Sequence, residues 1–448
     1  MLLFEYQMNA TTWVYVSSLL IIGIYFKFHR FWSVRNLDLI ALMSFAAGFL
    51  LITHGHQPAG HLWLFCVSGF FLVRLLLDPV MVRRPLLEPN LSASGLTFTC
   101  FALVLFLLAN VITKPAVEGG RRSPEQAEGD PRIMMRWEDT FYGPGADPSG
   151  RHVQQGPGYA PFLALADLSS PPPASAAAGP AHPSRQRVLW TVATRTTAVL
   201  GHLAILIGLI LIGYRHFGSA RTGVAAASLY LLLPYTSEFA GRIDHVIPGA
   251  LLVWAVVAYR RPLIAGTWVG LAAGVVYYPL FLLPLWCGFY WRRGLARFLI
   301  GAAFTLAVLT ASLAWTCHDL HTFAGQLERM FGGTSLSLVH AEGFWAFHEP
   351  AYRLPVMAVF FVLSVSLALW PAQKNLGTLL SCSAAVLLGT QFWHAHYAGI
   401  YIDWYLPLLI LTIFRPNLED RMALTAVREV RLFRDRWGWR SLLKRTPR

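Results

Sequence analysis

Charge is scarce in this sequence. Only 13% of its 448 residues are Asp, Glu, Lys or Arg, about half the share of a soluble globular domain, and 55% are hydrophobic. Too little polar surface is present to cover several soluble cores. Cysteine is also sparse and odd in number: five in all. Cys66, Cys100, Cys287 and Cys382 lie inside apolar blocks and only Cys317 at an exposed edge, so neither a disulfide framework nor a zinc spacing is present. The N-terminus lacks the basic start, short apolar run and small-residue cleavage site of a signal peptide, and its first span is expected to stay. Ionisable residues are rare at the centres of the apolar blocks, apart from edge positions such as Asp38, Arg74, Arg195 and Asp403. Paired charges at membrane depth are usual in ion-coupled carriers; their lack counts against that class, as does the missing internal repeat.

What is there is a series of long apolar runs. A lipid-spanning helix needs about 20 such residues, and runs near that length occur at 11–28, 37–54, 61–77, 95–113, 196–214, 221–236, 246–259, 297–316, 352–371, 376–392 and 398–414. The fold expected is all-α, a polytopic integral membrane protein of about 11–13 transmembrane helices. The net charge of +13 does not point to nucleic acid, because the basic residues form short clusters between apolar blocks, as cytoplasmic loops do.

The block 263–290 differs. As one helix it would be about 42 Å long against a hydrocarbon core of about 30 Å, and Pro279 and Pro284 interrupt it. Basic clusters at Lys27/Arg30/Arg35, Arg74/Arg83/Arg84, Arg215/Arg221, Arg260/Arg261, Arg292/Arg293/Arg297, Lys374 and the tail from Arg415 to Arg448 decide its course. One crossing would put the last clusters and the tail on the opposite side from the first. A helical hairpin with its tip at Tyr277-Tyr278-Pro279 keeps every cluster in the cytoplasm, and that reading is preferred to one long tilted helix. Segments 55–60, 114–190, 237–245, 317–350 and 393–397 then face outward. Twelve of the 15 histidines fall in or beside them: His54, His56, His61, His152, His182, His245, His318, His321, His340, His348, His394 and His396. Imidazoles at a wet interface or a divalent metal site both fit this clustering. The tail 417–448 reads as a basic amphipathic helix on the anionic cytoplasmic leaflet.

The run 241–293 carries the most specific pattern. A polar turn, Gly241-Arg242-Ile243-Asp244, starts a helix; after the basic corner come Ala265-Gly266, Gly270-Leu271-Ala272-Ala273 and Pro279, then Trp291-Arg292-Arg293. The outer loop holds Glu138-Asp139-Thr140-Phe141-Tyr142 and Gly158-Tyr159-Ala160-Pro161-Phe162, and Trp393-His394-Ala395-His396-Tyr397 precedes Tyr405-Leu406-Pro407. In order and sidedness these pieces resemble the polyprenol-phosphate-mannose-dependent mannosyltransferases of the GT-C glycosyltransferase superfamily. The resemblance covers roughly 95–414. A non-basic residue near Val276 and Tyr277 stands where those enzymes carry a lysine.

The resemblance implies transfer of a mannose-like hexose from a polyprenyl-phosphate sugar to a glycan or glycolipid acceptor on the outer face. Asp139, with Glu138 second, would be the general base, a role that typically supplies roughly 10²- to 10⁴-fold. Both could instead merely solvate the loop. Arg242, His245, Arg353, His394 and His396 would stabilise the leaving phosphate, or meet lipid headgroups. Asp244 belongs to the polar turn. Tyr277 and Tyr278 would line the sugar pocket or anchor a hairpin tip at the interface, and Tyr142 and Tyr159 of the outer loop would help bind substrate. A divalent metal is optional, and direct displacement would invert the anomeric carbon. The Gly266, Gly270, Gly274 series is expected to serve close helix packing. The expected organisation is a three-helix membrane extension (1–94), a GT-C-like membrane domain (95–414, with outer loop 114–190 and its low-complexity part 171–184) and a basic cytoplasmic tail (415–448), placed in a bacterial inner (plasma) membrane with membrane lipids as partners and no nucleic acid. The competing classes are a non-catalytic lipid or polysaccharide transporter, an envelope scaffold, and a glycosyltransferase fold that binds without turnover.

Overall fold

A computed structural model describes residues 10–81, 87–113, 183–316, 320, 323–324, 327, 343–372, 374–394 and 399–416. Among these the chain is helical throughout, with no strand. The helices are α1 (Ala10–Tyr25), α2 (Val34–Thr53), α3 (Gln57–Leu77), α4 (Ala93–Thr113), α5 (Pro183–Arg215), α6 (Ala220–Leu232), α7 (Pro234–Glu238), α8 (Ile243–Val257), α9 (Pro262–Val275), α10 (Leu283–Tyr290), α11 (Leu295–Thr316), α12 (Arg353–Ser366), α13 (Leu376–Thr390) and α14 (Leu406–Phe414). Local chemistry sets many of the starts. Ser33, Ser219 and Asn375 accept a hydrogen bond from the backbone N–H three residues on, satisfying a donor that a helix start leaves open. Prolines begin α7, α9 and, one residue in, α3, α10 and α14, where a missing N–H costs nothing.

Among the described residues five stretches are long and apolar enough to cross a membrane: Val34–Thr53, Gln57–Val80, Ala93–Ile112, Arg195–Arg215 and Leu295–Ser312. Large apolar side chains on them face outward, among them Phe98, Phe101, Phe304 and Val73, as a lipid-facing surface requires. Among the described residues six further apolar helices have 10–17 residues, shorter than a full span. Burial accounts for two of the short helices. Every residue of α13 and of α14 is buried, so protein surrounds them instead of lipid and nothing obliges them to match the bilayer's thickness.

One end of the bundle gathers the basic residues. Tyr25 Oη donates to Ala225 O at 2.9 Å, Lys27 Nζ to Asn90 Oδ1 at 2.7 Å, Arg221 to Leu91 O at 2.9 Å, and His216 Nε2 lies 3.1 Å from Val257 O. A buried ionic chain runs through the same end. Arg74 bonds Asp38 (3.1 and 3.2 Å) and Asp78 (2.8 Å), and Arg415 bonds Asp78 (2.6 Å). Asp38 and Asp78 are wholly buried; breaking one such pair costs roughly 3–5 kcal/mol. The chain joins α2 and α3 to the foot of α14, and with the Phe65–Phe392 and Phe49–Tyr235 ring contacts it packs the first three helices directly onto the rest.

The block 263–290 is not one helix. α9 and α11 lie side by side and run parallel: Gly294 sits against Pro262, Gly266 against Phe298 and Ala302, Gly270 against Ala302 and Thr305, and Gly274 against Leu309. These glycines let the two backbones touch. Two parallel neighbours require the chain between them to return to its starting level. α9 climbs about 21 Å over 14 residues. The 3₁₀ turn Tyr278–Leu282 and α10 descend about 22 Å over five and eight residues. Tyr290 Oη then donates to Tyr259 O at 2.6 Å, back at the foot of α9. Arg260/Arg261 and Arg292/Arg293 therefore share one end of the bundle.

Candidate functional site

The opposite end holds the polar turns. α2, α3, α4 and α11 have 20–22 residues, about 30 Å, whereas α6, α8, α9, α13 and α14 have 9–15, about 14–22 Å. With their basic ends level, the inner helices stop roughly 10 Å short of the outer ones. The turns 239–242, 276–282, 391–394 and 399–405 fill that shortfall, with most of their side chains buried.

Arg242 grips Asp244 with two bonds, Nε–Oδ1 at 3.0 Å and Nη2–Oδ2 at 2.8 Å. This is the bidentate geometry that guanidinium and carboxylate favour, and Asp244 also sits in the first turn of α8, where a helix favours negative charge. His245 follows, wholly buried, with Nε2 3.9 Å from Asp244 Oδ2. Its Nδ1 meets Tyr235 Oη at 2.5 Å. That hydroxyl also lies 2.7 Å from Ile400 O and accepts from Ile402 N at 3.2 Å. A carbonyl can only accept, so the single phenolic proton goes to Ile400 O; His245 Nδ1 then carries the proton it donates to Tyr235, and Nε2 carries the lone pair. This tautomer is assigned from the bonding pattern.

A continuous ring wall extends from there. His245 stacks on Phe239 at 4.7 Å and meets Tyr401 at 4.9 Å; Tyr401 stacks on Trp404 (4.5 Å), Trp404 meets Tyr278 (5.2 Å), and Tyr278 meets His394 (5.0 Å) and Tyr277 (4.0 Å). Trp404 Nε1 donates to Asp244 O at 3.0 Å, closing the wall onto the Arg242–Asp244 pair. Arg353, fully buried at the start of α12, donates to Trp393 O at 3.1 Å. Its guanidinium lies in electrostatic reach of Tyr277 and Tyr278. Four distant segments thus bring Arg242, Asp244, His245, Tyr277, Tyr278, Arg353 and His394 together. Glu138, Asp139, Tyr142, Tyr159 and His396 lie outside the described residues. No group of three or more His, Cys, Asp or Glu among the described residues is placed to hold a metal.

Four residues of this region were not singled out as site residues from the sequence: Tyr235, Tyr401, Trp404 and Asp403. The aromatic density of 392–405 was the available signal for two of them. Asp403 is wholly buried, and neither carboxyl oxygen has a hydrogen-bond partner among the described residues. The Tyr405 hydroxyl is set against that of Ser68 and feels the Asp403 carboxyl. Tyr230 feels the same carboxyl while its own hydroxyl meets His202 Nδ1 at 2.9 Å. Native proteins leave few buried polar atoms unpaired, and an ionisable one inside a helical membrane bundle marks a functional position by default.

Fold and site together define an all-α polytopic membrane protein with a buried polar and aromatic cluster at the end away from its basic clusters. A scan against protein-family models found no match, and neither did searches of curated proteins and of solved structures.

Proposed function

We propose that the chain is a GT-C-like membrane glycosyltransferase, moving a mannose-like hexose from a polyprenyl-phosphate sugar to a glycan or glycolipid acceptor at that end. The observation that carries this reading is the convergence of Arg242, His245, Arg353 and His394 on one ring wall. A few polar groups set among aromatic rings are the usual lining of a small-ligand site. Transfer to a hydroxyl needs little more than position and charge. The acceptor oxygen attacks the anomeric carbon, the bond from that carbon to the phosphate oxygen breaks, and its electron pair leaves with the phosphate. Asp139 or Glu138 takes the acceptor proton, and Arg242 and Arg353 offset the charge growing on the phosphate. Tyr278, Tyr401 and Trp404 offer apolar faces to the sugar ring. Attack from the side opposite the leaving phosphate inverts the anomeric carbon.

The test is turnover of a radiolabelled polyprenyl-phosphate hexose by the full chain in lipid nanodiscs. Asp139→Asn, or the double change with Glu138→Gln, should lower kcat roughly 10²- to 10⁴-fold, and Arg242→Gln should also lower kcat, by more than the fall in melting from its lost Asp244 pair explains. Wild-type protein that turns over no such donor but accelerates its movement between leaflets would replace this reading with transport. Turnover that survives all three changes would remove these residues from the reaction.

A further inference from the structure

At the basic end, the loop between α1 and α2 and the chain just before α4 enclose a cavity of about 290 Å³, at the small end of ligand-site volumes. Its lining includes Lys27, His29, Arg30, Ser33, Arg35 and Glu88. Three fixed cations face one acid there. The rim is built and not merely exposed. Asn36, wholly buried, donates to the carbonyls of Lys27, Arg30 and Phe31 at 3.0, 3.0 and 3.2 Å, and accepts from Lys27 N at 3.2 Å. On the other side Asn90 donates to Gly23 O and Phe26 O and receives Lys27 Nζ. Two side-chain amides thus hold the loop in shape without help from a ligand. Ser33 and Asn36 both line the cavity, so the first turn of α2, with its partial positive charge, borders it as well.

The same loop shows where the cavity opens. Phe28 (70% exposed), Phe31 (49%) and Trp32 (80%) project from it. In a membrane protein, exposed aromatics beside basic residues sit at headgroup level. We infer that this cavity binds the phosphate of an anionic lipid headgroup, with the lipid's chains lying along Phe28 and Trp32. Basic pockets between helices on the cytoplasmic side bind such headgroups elsewhere. The site is far from the polar and aromatic cluster and does not depend on the function proposed above.

The test uses the full chain in nanodiscs of zwitterionic lipid doped with phosphatidylglycerol, with retained lipid counted by native mass spectrometry. Lys27→Gln with Arg30→Gln should weaken retention roughly 30-fold, about tenfold or less for each cation. Arg292→Gln with Arg293→Gln removes the same charge from the same end outside the cavity and should change retention less than about threefold. Glu88→Gln removes the opposing charge and should strengthen retention, so a folding defect in the first variant cannot mimic the whole pattern. Equal losses in both double variants would mean a diffuse field and overturn the site. Millimolar inorganic phosphate that displaces the lipid would make it a soluble-anion site, overturning the lipid assignment.

Discussion

Asp403 offers a direct test of whether this chain keeps a costly residue for use. It sits in the 3₁₀ turn Ile402–Trp404 just before α14. Nine residues of α14 and the two before it put it about 15–20 Å above the basic end, near the middle of a 30 Å hydrocarbon core. A buried polar group without a hydrogen bond costs about 1–3 kcal/mol on the scale of protein mutations. Asp403→Leu removes that cost and keeps the same number and branching of side-chain heavy atoms, so it should stabilise the fold by about 1–3 kcal/mol. For a chain this large, each kcal/mol shifts Tm by about 2 °C or less, giving a rise of a few degrees in tryptophan-fluorescence melting of the purified protein. The turnover assay run beside it should show the reverse, a fall of at least about 100-fold, because a carboxyl retained against its own folding cost must serve the site above it. Melting lowered by the equivalent of about 3–5 kcal/mol, the signature of a broken buried pair, would show that the carboxyl has a partner and refute the argument. Raised melting with full activity would leave the cost without a use and refute its second half.

Two further tests address the frame. A methyl at Gly266 would run into the backbone at Phe298 O, so Gly266→Ala should destabilise by about 1–3 kcal/mol. Gly69, mid-helix in α3 with nothing within 4 Å of an added methyl, should give the opposite sign on Gly69→Ala, a gain of about 0.5–1 kcal/mol; equal signs in thermal melting would contradict the parallel contact of α9 and α11. Tyr235→Phe strips the hydroxyl shared by His245, Ile400 and Ile402 and should cost about 1–3 kcal/mol for each group left unpaired. Hydrogen exchange of 399–405 should quicken, and unchanged protection there would deny Tyr235 its role in holding the turn.

The membrane class was legible because apolar composition reports burial directly. The turn at Tyr277-Tyr278-Pro279 was legible too: two prolines and a span too long for the bilayer are strong local signals. Helix extents were less so. The run 398–414 reads as one apolar span, yet α14 begins only at Leu406, since Gly399 takes a positive φ of 90° and the aromatic turn after it is buried by protein. The run 221–236 divides at Pro234 into α6 and α7, as a proline's missing donor dictates. Apolarity could not separate these cases, because lipid and protein interior reward the same residues. The site was half legible. Arg242, Asp244 and His245 stand together in sequence and announce a polar turn. Tyr235 meets Ile400 and Ile402 across more than 160 positions, a pairing that only the folded chain creates.

The position of the polar and aromatic cluster follows from two facts of different origin. Helix lengths come from local sequence: Pro262, Pro279 and Pro407 and the caps at Ser219 and Asn375 cut the inner helices to about two-thirds or less of the outer ones. Alone, that shortfall of roughly 10 Å could be shared between both ends of the bundle. The Asp38–Arg74–Asp78–Arg415 chain removes that freedom, since it levels the feet of α2, α3 and α14 in one buried network. Tyr290 on Tyr259 O does the same for α9 and α10. With the feet level, the whole difference must emerge at the other end. There the short helices hand over to turns that supply Arg242, Tyr278, His394 and Trp404, held below the rim of the outer helices, where a polar group works with less competing water and each charge acts more strongly.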